Sequence, residues 1–214
     1  MSIADRKDRE KKELTELILK EARALFLEEG FEKTSIRRIA DRIEYSPATI
    51  YLYFKDKNEL LLALHQESFT HLFEALSSVA SVPDAFERLV ALGRAYIEYG
   101  LKNPEEYELM FMLSAPLDAL ECRHELWCDG QKAIDLVKMM VDDCKLNGYF
   151  RKELDPETTA IMLWSQVHGL VSLYLKQRFN MFKDQDLKQL IEKTFGLFVQ
   201  TLQCFRYLIQ PIPQ

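Results

Sequence analysis

Glycine and proline are scarce in this 214-residue chain, at seven each, and it has only four cysteines and four histidines. With so few breakers, long periodic stretches run uninterrupted, which points to helices throughout. No apolar run reaches the roughly 18–20 residues of a membrane span. The charged start MSIADRKDREKK lacks the apolar stretch of a secretory signal. A cytoplasmic location is expected. Cys122, Cys128, Cys144 and Cys204 form no CxxC pair, and no histidine stands at zinc-finger spacing. They read as small buried hydrophobes. His65, His71, His124 and His168 are scattered, and neither a catalytic-triad spacing nor a Gly-rich phosphate loop occurs. No enzymatic site, metal or cofactor is expected.

What is plentiful is apolar (48%) and charged (29%) sequence, so a sizeable core is expected and disorder is not. The net charge of −6 is unevenly placed. Residues 1–60 hold 13 of the 28 Lys+Arg and 13 of the 34 Asp+Glu, so the acidity lies in the remainder. Any anion-binding surface in the first part must come from local arrangement, not bulk charge.

The segment Thr34 to Leu60, TSIRRIADRIEYSPATIYLYFKDKNEL, is the most informative. A first helix is expected from Glu13 to Glu29, stopped by Gly30, with Phe31 folding back on its last turn. Thr34 suits the N-cap of a second helix, whose Ile36, Ile39, Ala40 and Ile43 form a buried stripe. Its other face shows Arg37, Arg38, Asp41 and Arg42, either as a solvated face or with one or two arginines meeting phosphates. The free N–H groups near Thr34 and Ser35 suit a phosphate. Glu44-Tyr45 is a turn, and Ser46 caps a third helix that begins with Pro47 and runs to about Phe54. Ile50 and Phe54 point inward, leaving Tyr45, Ser46, Pro47, Ala48, Thr49, Tyr51, Leu52 and Tyr53 on the exposed arc. So many uncharged small and aromatic groups make a poor solvent face but a good DNA face, since Ala48 and the Thr49 methyl can meet thymine methyls. Asp56 and Glu59 form a capping box for a fourth helix. Lys57 gains nothing from the helix dipole there, and a phosphate at the same helix start would explain it.

This helix-turn-helix pattern, T-S-I-R-R-I-A, S-P-A-T-I-Y-L-Y-F and K-D-K-N-E-L-L, resembles the TetR family of bacterial repressors over about residues 13–65. By position, the resemblance implies phosphate contacts at Thr34 or Ser35, Tyr53 and Lys57. It also implies a groove-facing set of Ser46, Pro47, Ala48, Thr49 and Tyr51, flanked by Tyr45. Three positions depart from the family pattern. Glu44 replaces the usual turn glycine, and Tyr45 and Ala48 replace smaller residues. If Glu44 takes positive φ, it costs about 1 kcal/mol.

The expected division is a DNA-binding domain over 1–60 and a helical ligand-binding and dimerisation domain over 61–214. Beyond a helix from Asp56 to about Ala80, further helices are expected near 84–102, 104–114, 117–147, 156–179 and 185–208. The resulting all-α chain of about nine helices is a topology that the family resemblance supplies. Aromatic and sulfur side chains crowd the middle, and Tyr96, Tyr99, Tyr107, Phe111, Trp127, Met140, Trp164 and His168 are candidates to line a pocket for a fairly large apolar or aromatic effector. Trp164, His168 and Gly169 resemble a C-terminal subclass of the family marked by Trp, His and Gly. Gly169 in mid-helix costs about 1 kcal/mol relative to Ala, which places it at a close helix–helix approach. Apolar stripes containing Val171 and then Phe195, Phe198 and Leu202 are expected to form, with Gly169, a two-fold dimer interface. The chain reads as a homodimeric, ligand-responsive repressor of a pseudo-palindromic operator. The alternatives are a ligand-independent DNA-binding or interaction protein on the same scaffold, and an enzyme, for which no motif argues.

Overall fold

Charge pairs extend the first helix well ahead of its apolar stripe. In the structure, a computed structural model that describes residues 3–114, 128–182 and 184–204, α1 spans Ile3–Glu29, not the expected Glu13–Glu29. Arg6–Glu10 at 2.7 Å, Arg9–Glu13 at 3.6 Å and Lys12–Glu16 at 3.8 Å link successive turns of the added stretch. Apolar periodicity starts only where there is a core to bury against, so it marks the packed half of α1. Gly30 ends the helix at φ 85°, and Phe31 packs on Phe26 with ring centroids 5.3 Å apart.

The second helix, α2 (Ile36–Arg42), is capped by Ser35, whose hydroxyl accepts from the Arg38 N–H at 3.3 Å. Thr34, the expected cap, is 2% exposed, and its hydroxyl donates to the carbonyls of Gly30 at 2.9 Å and Leu25 at 3.2 Å. The helix therefore begins one residue later, because the Thr34 hydroxyl is consumed in tying the turn to α1. At the C-terminal end the Tyr45 N–H bonds to the Ala40 carbonyl and the Glu44 N–H to that of Asp41, with Glu44 at φ 59°. This is a Schellman turn with a non-glycine residue in the left-handed position. Glu44→Gly is expected to raise stability by about 1 kcal/mol in urea denaturation. An unchanged midpoint would mean that the turn stores no strain.

The short α3 (Pro47–Tyr51) opens on Ser46, which accepts from the Thr49 N–H at 3.2 Å. It is shorter than expected. Phe54 lies beyond it, yet keeps its N–H on the Ile50 carbonyl at 3.0 Å, so both side chains stay in the core. The fourth helix, α4 (Lys57–Ser77), starts at Asp56, whose carboxylate accepts from the Glu59 N–H, while Glu59 reaches back to the Lys55 N–H. A 3₁₀ turn, Ser78–Ser81, follows.

Next come α5 (Ala85–Lys102), α6 (Pro104–Phe111), α7 (Cys128–Leu146), α8 (Pro156–Leu175) and α9 (Leu187–Cys204). The described residues thus form nine α-helices and no strand. They divide into two units: one from the described parts of Met1–Thr70 and Glu105–Asp129, the other from those of His71–Pro104 and Gly130–Gln214. The expected boundary at residue 60 differs on two counts. The first unit keeps α4 to Thr70, and it takes in most of α6 because Leu109 completes the core of Ile18, Phe26, Ile39 and Leu64. In that unit Phe111 contacts Tyr107 and Phe69, with centroids 4.9 and 5.6 Å away.

The second unit is pinned where α5 begins. The Asp84 carboxylate accepts from the N–H groups of Phe86 and Glu87, both at 2.9 Å, and from the Tyr149 hydroxyl. The Tyr149 hydrogen bond is the main reason its carboxyl is held below the usual value of 3.8. Arg88 joins the Val82 carbonyl at 2.6 Å to Asp143 at 2.8 Å. Cys144 is fully buried, and desolvation pushes its thiol up to about 12. A thiol kept protonated in this way is inert, in keeping with a packing role. Asp155 caps α8 through the Thr158 N–H at 2.9 Å, with Pro156 in the first turn.

Candidate nucleic-acid interface and apolar cavity

The exposed face of the first unit is built by capping chemistry. Ser46 Oγ lies 2.9 Å from Thr49 Oγ1, so the cap fixes the rotamer of a groove-facing candidate. Around it, Tyr45 is 46% exposed, Tyr51 56% and Leu52 81%, while Ala48 is also exposed and Pro47 and Thr49 are half-buried. Large apolar groups cost free energy when left in water, so this face suits a partner surface. Tyr53 is half-buried, with its ring against the core of the unit.

Three arginines alike in sequence are separated by their partners. Arg38 pairs with Glu29, and Arg42 with Glu21 at 2.9 Å and Glu28 at 2.6 Å. The Arg42 hydrogen bond holds the Glu28 carboxyl below its usual value, and the same bond raises the guanidinium further. Arg37, in the first turn of α2, is exposed and has no acidic partner among the described residues. Of the three it is the one without an internal partner among the described residues, and it lies beside the exposed Ser35. Sequence could have hinted at this, since Glu28 and Glu29 end the helix that Arg38 and Arg42 pack against. Thr34, with its hydroxyl turned inward, is not presented to a ligand. Lys57 is already engaged. Its ammonium donates to the carbonyls of Phe31 at 3.0 Å and Glu32 at 3.4 Å and lies 4.3 Å from the centre of the Phe31 ring. Its position near a helix start thus has an internal explanation, although an ammonium has three protons to give.

In the second unit, α5, α7, α8 and α9 with the end of α4 enclose an apolar cavity of about 50 Å³. Leu76, Leu89, Gly93, Val137, Leu163 and Val167 form much of its wall. A Cβ placed on Gly93 would come within 3.0 Å of the Phe195 ring, so glycine lets α5 and α9 approach there. Tyr96 and Trp164 bring the polar groups of the wall. The Trp164 indole N–H donates to Tyr96 Oη at 3.0 Å, and that oxygen lies 3.0 Å from His168 Nδ1. Burial lowers the His168 pKa, favouring the neutral ring that accepts from the tyrosine hydroxyl.

Of the described candidate pocket residues, Tyr96, Trp164 and His168 come together in this unit. Tyr99 and Met140 are buried in the same unit away from the cavity wall. Tyr107 and Phe111 belong to the other unit, and Trp127 lies outside the described residues. The residues expected at a dimer interface are also redistributed. Phe195, Phe198 and Leu202 line the cavity, and Val171 is fully buried within the chain. Phe195 and Leu202 are covered within the chain, while Phe198 stays half-buried. Gly169 faces open space, with nothing within 4 Å of where a Cβ would sit. Among the described residues no cluster suits a metal ion, and no helix is long and apolar enough to cross a membrane.

Comparison with known proteins agrees with this geometry. A family profile described as "Bacterial regulatory proteins, tetR family" matches residues 18–64, and one described as "Tetracyclin repressor-like, C-terminal domain" matches residues 89–204. The HTH-type transcriptional repressor AcnR of Corynebacterium glutamicum is 27% identical over 159 residues, covering 72% of this chain and 78% of AcnR. Among solved structures, a TetR-family regulator from Syntrophomonas wolfei superposes with a TM-score of 0.71 at 22% identity, over 94% of this chain and 100% of its own. FadR of Bacillus subtilis, solved in complex with stearoyl-CoA, does so with 0.70 at 18% identity, over 86% of this chain and 96% of its own. At such identities the two structures speak for the fold alone, whereas the two profiles span both the reading head and more than half of the chain. This chain belongs to the TetR family of bacterial regulatory proteins and is a DNA-binding regulator of transcription, not an enzyme.

Proposed function

We propose that the protein is a homodimeric repressor released from a pseudo-palindromic operator in the cytoplasm by an apolar or aromatic effector that occupies the cavity around Tyr96 and Trp164. The observation that carries this reading is the chemistry of that wall. It is almost wholly aliphatic and aromatic, with a Trp–Tyr–His hydrogen-bonded chain as its polar feature. α4 supports a coupling route, because one continuous helix bears Lys57 at its start and the cavity residue Leu76 near its end. The effector must bind the DNA-incompetent state more tightly, or no population shifts. Two recognition segments about 34–36 Å apart would read successive major grooves. The dimer surface falls to what the chain itself leaves uncovered: Ile161, Gly169 and Leu173 on α8, and Gly196 and Leu197 on α9. Exposed apolar residues beside open glycines support close helix packing with a second copy.

One observation favours the rival, ligand-independent reading. A cavity of about 50 Å³ holds no effector-sized molecule without widening. Thermal-shift and DNA-release measurements with indole, decanoate and stearoyl-CoA decide between them. The effector reading expects at least one probe to stabilise the protein, by about 2.7 kcal/mol at 100 times its Kd, and to free the promoter duplex. Val167→Phe, which fills the cavity, is expected to abolish both responses while leaving DNA binding intact. If no probe shifts the melting or the DNA affinity, the ligand-independent regulator stands.

A further inference from the structure

The early start of α1 has a consequence for the head. Between Ile3 and Lys12 the helix carries five cations, and three of them are neutralised four residues on: Arg6 by Glu10, Arg9 by Glu13 and Lys12 by Glu16. Lys7 and Lys11 are different. They are exposed, lie one above the other at i and i+4, and form no ion pair among the described residues. Their face continues through Leu14 and Leu17 and, with Tyr45 and Tyr53 opposite, encloses an open concavity of about 540 Å³. Glu10 and Glu13 also border it, each already held by its own arginine. Neither tyrosine hydroxyl has a hydrogen-bond partner among the described residues.

Helix stability does not account for this layout. Cations near a helix N-terminus oppose the dipole. The ion pairs run basic-to-acidic, the weaker of the two i,i+4 orientations, and Lys7 above Lys11 is a like-charge pair. A polyanion laid along this face accounts for the cations near the helix start and for Lys7 standing above Lys11. Tyr45 and Tyr53 carry the surface directly into the DNA-reading face, so the partner it fits is the DNA backbone alongside the recognition segment.

The geometry points to a further phosphate-binding surface in the head: Lys7 and Lys11 of the α1 extension, across a concavity from Tyr45 and from the phosphate contact expected of Tyr53, hold the DNA backbone beside the groove that α3 reads. This rests on the reading of the head as the DNA-binding unit. The surface adds affinity without sequence preference, because phosphates carry no base identity. It also bears on how a head of zero net charge holds a polyanion, since pairing elsewhere leaves these two lysines, like Arg37, as local positive charge.

Fluorescence anisotropy against a promoter duplex and a random duplex, from 50 to 300 mM NaCl, tests the surface with the full-length protein. Each lost phosphate contact lowers the slope of log K against log salt by about 0.9. K7Q/K11Q is therefore expected to lower it by about 1.8, to weaken both duplexes by the same factor, and to leave their affinity ratio unchanged. K7R/K11R is expected to restore the wild-type slope. K12Q/E16Q, which removes a neutralised pair away from the concavity, is expected to change nothing. A wild-type slope in K7Q/K11Q overturns the proposal, and so does an equal drop in K12Q/E16Q. Removing the Lys7–Lys11 repulsion should not unfold α1, and far-ultraviolet circular dichroism checks that it has not. If the wild-type protein itself shows no salt-dependent DNA binding, the DNA-binding assignment fails and this surface fails with it. Wild-type binding that K7Q/K11Q leaves untouched sinks only the surface.

Discussion

Lowering the pH from 7 towards 4 is expected to remove about 3 kcal/mol of stability from the first unit through His65 alone. This histidine is 9% exposed, and desolvation, partly offset by a hydrogen bond to the Leu109 backbone, depresses its pKa from 6.5 to about 4. Above pH 6.5 the ring is neutral whether the chain is folded or not, so folding is indifferent to pH. Between 6.5 and 4 the unfolded chain takes up a proton that the folded ring refuses, and stability falls by about 1.4 kcal/mol per pH unit. Below about 4 both states are protonated and this contribution levels off. Carboxylates held below their usual values, Asp84 and Asp155 among them, act in a separate, more acidic window. Their stabilisation is present above their unfolded pKa and is lost as pH falls through the lower folded one. Urea denaturation at pH 7, 6, 5 and 4.5 separates the effects. His65→Leu should flatten the slope between 6.5 and 4.5, whatever it does to absolute stability. Identical slopes in wild type and His65→Leu would show that the ring is not held neutral.

Phe195→Ala is expected to cost about 3–5 kcal/mol. Phe195 is 2% exposed, meets α5 at Gly93, and lies under the Arg94 guanidinium at 5.6 Å from the ring centre. Its removal widens the existing cavity of about 50 Å³ towards the roughly 150 Å³ at which an engineered apolar cavity admits benzene. Benzene or indole should therefore recover part of the loss in the variant and little in the wild type. A double-mutant cycle sharpens this. In the wild type, Gly93→Ala drives a methyl against Phe195 at 3.0 Å and should destabilise. In the Phe195→Ala background the clash is gone, and the same change should stabilise by up to about 1 kcal/mol through helix propensity. An equal effect of Gly93→Ala in both backgrounds would mean that the two residues do not press on each other.

The head was largely legible because its signals are local. Ser46-Pro47, Asp56-Glu59 and the Ile36–Ile39–Ala40–Ile43 stripe act within one or two turns, and the structure places caps and a buried face there. The misplacements came from groups that reach across elements. The Thr34 hydroxyl turns to Leu25 and Gly30, and the cap passes to Ser35. Lys57 finds the Phe31 and Glu32 carbonyls some 25 residues away in sequence. The α1 extension went unread because ion pairs, not a core, sustain it, and an apolar period cannot register a helix that buries nothing.

The stripe of Phe195, Phe198 and Leu202 shows the limit most clearly. Helical spacing reports that a face is apolar, never what covers it. From sequence the stripe suited a partner subunit, but α5 and α8 reach it first. On α8 and α9 the large apolar residues left exposed are instead Ile161, Leu173 and Leu197. The sequence by itself determined an all-helical chain, a helix-turn-helix head with its caps, and the family, because propensity, capping and motif spacing are properties of contiguous residues. Only the tertiary structure decided which arginine stays unpaired, which tyrosine meets which histidine, and which apolar face encloses a cavity, because each depends on distances between residues far apart in the chain, and a one-dimensional pattern does not contain them.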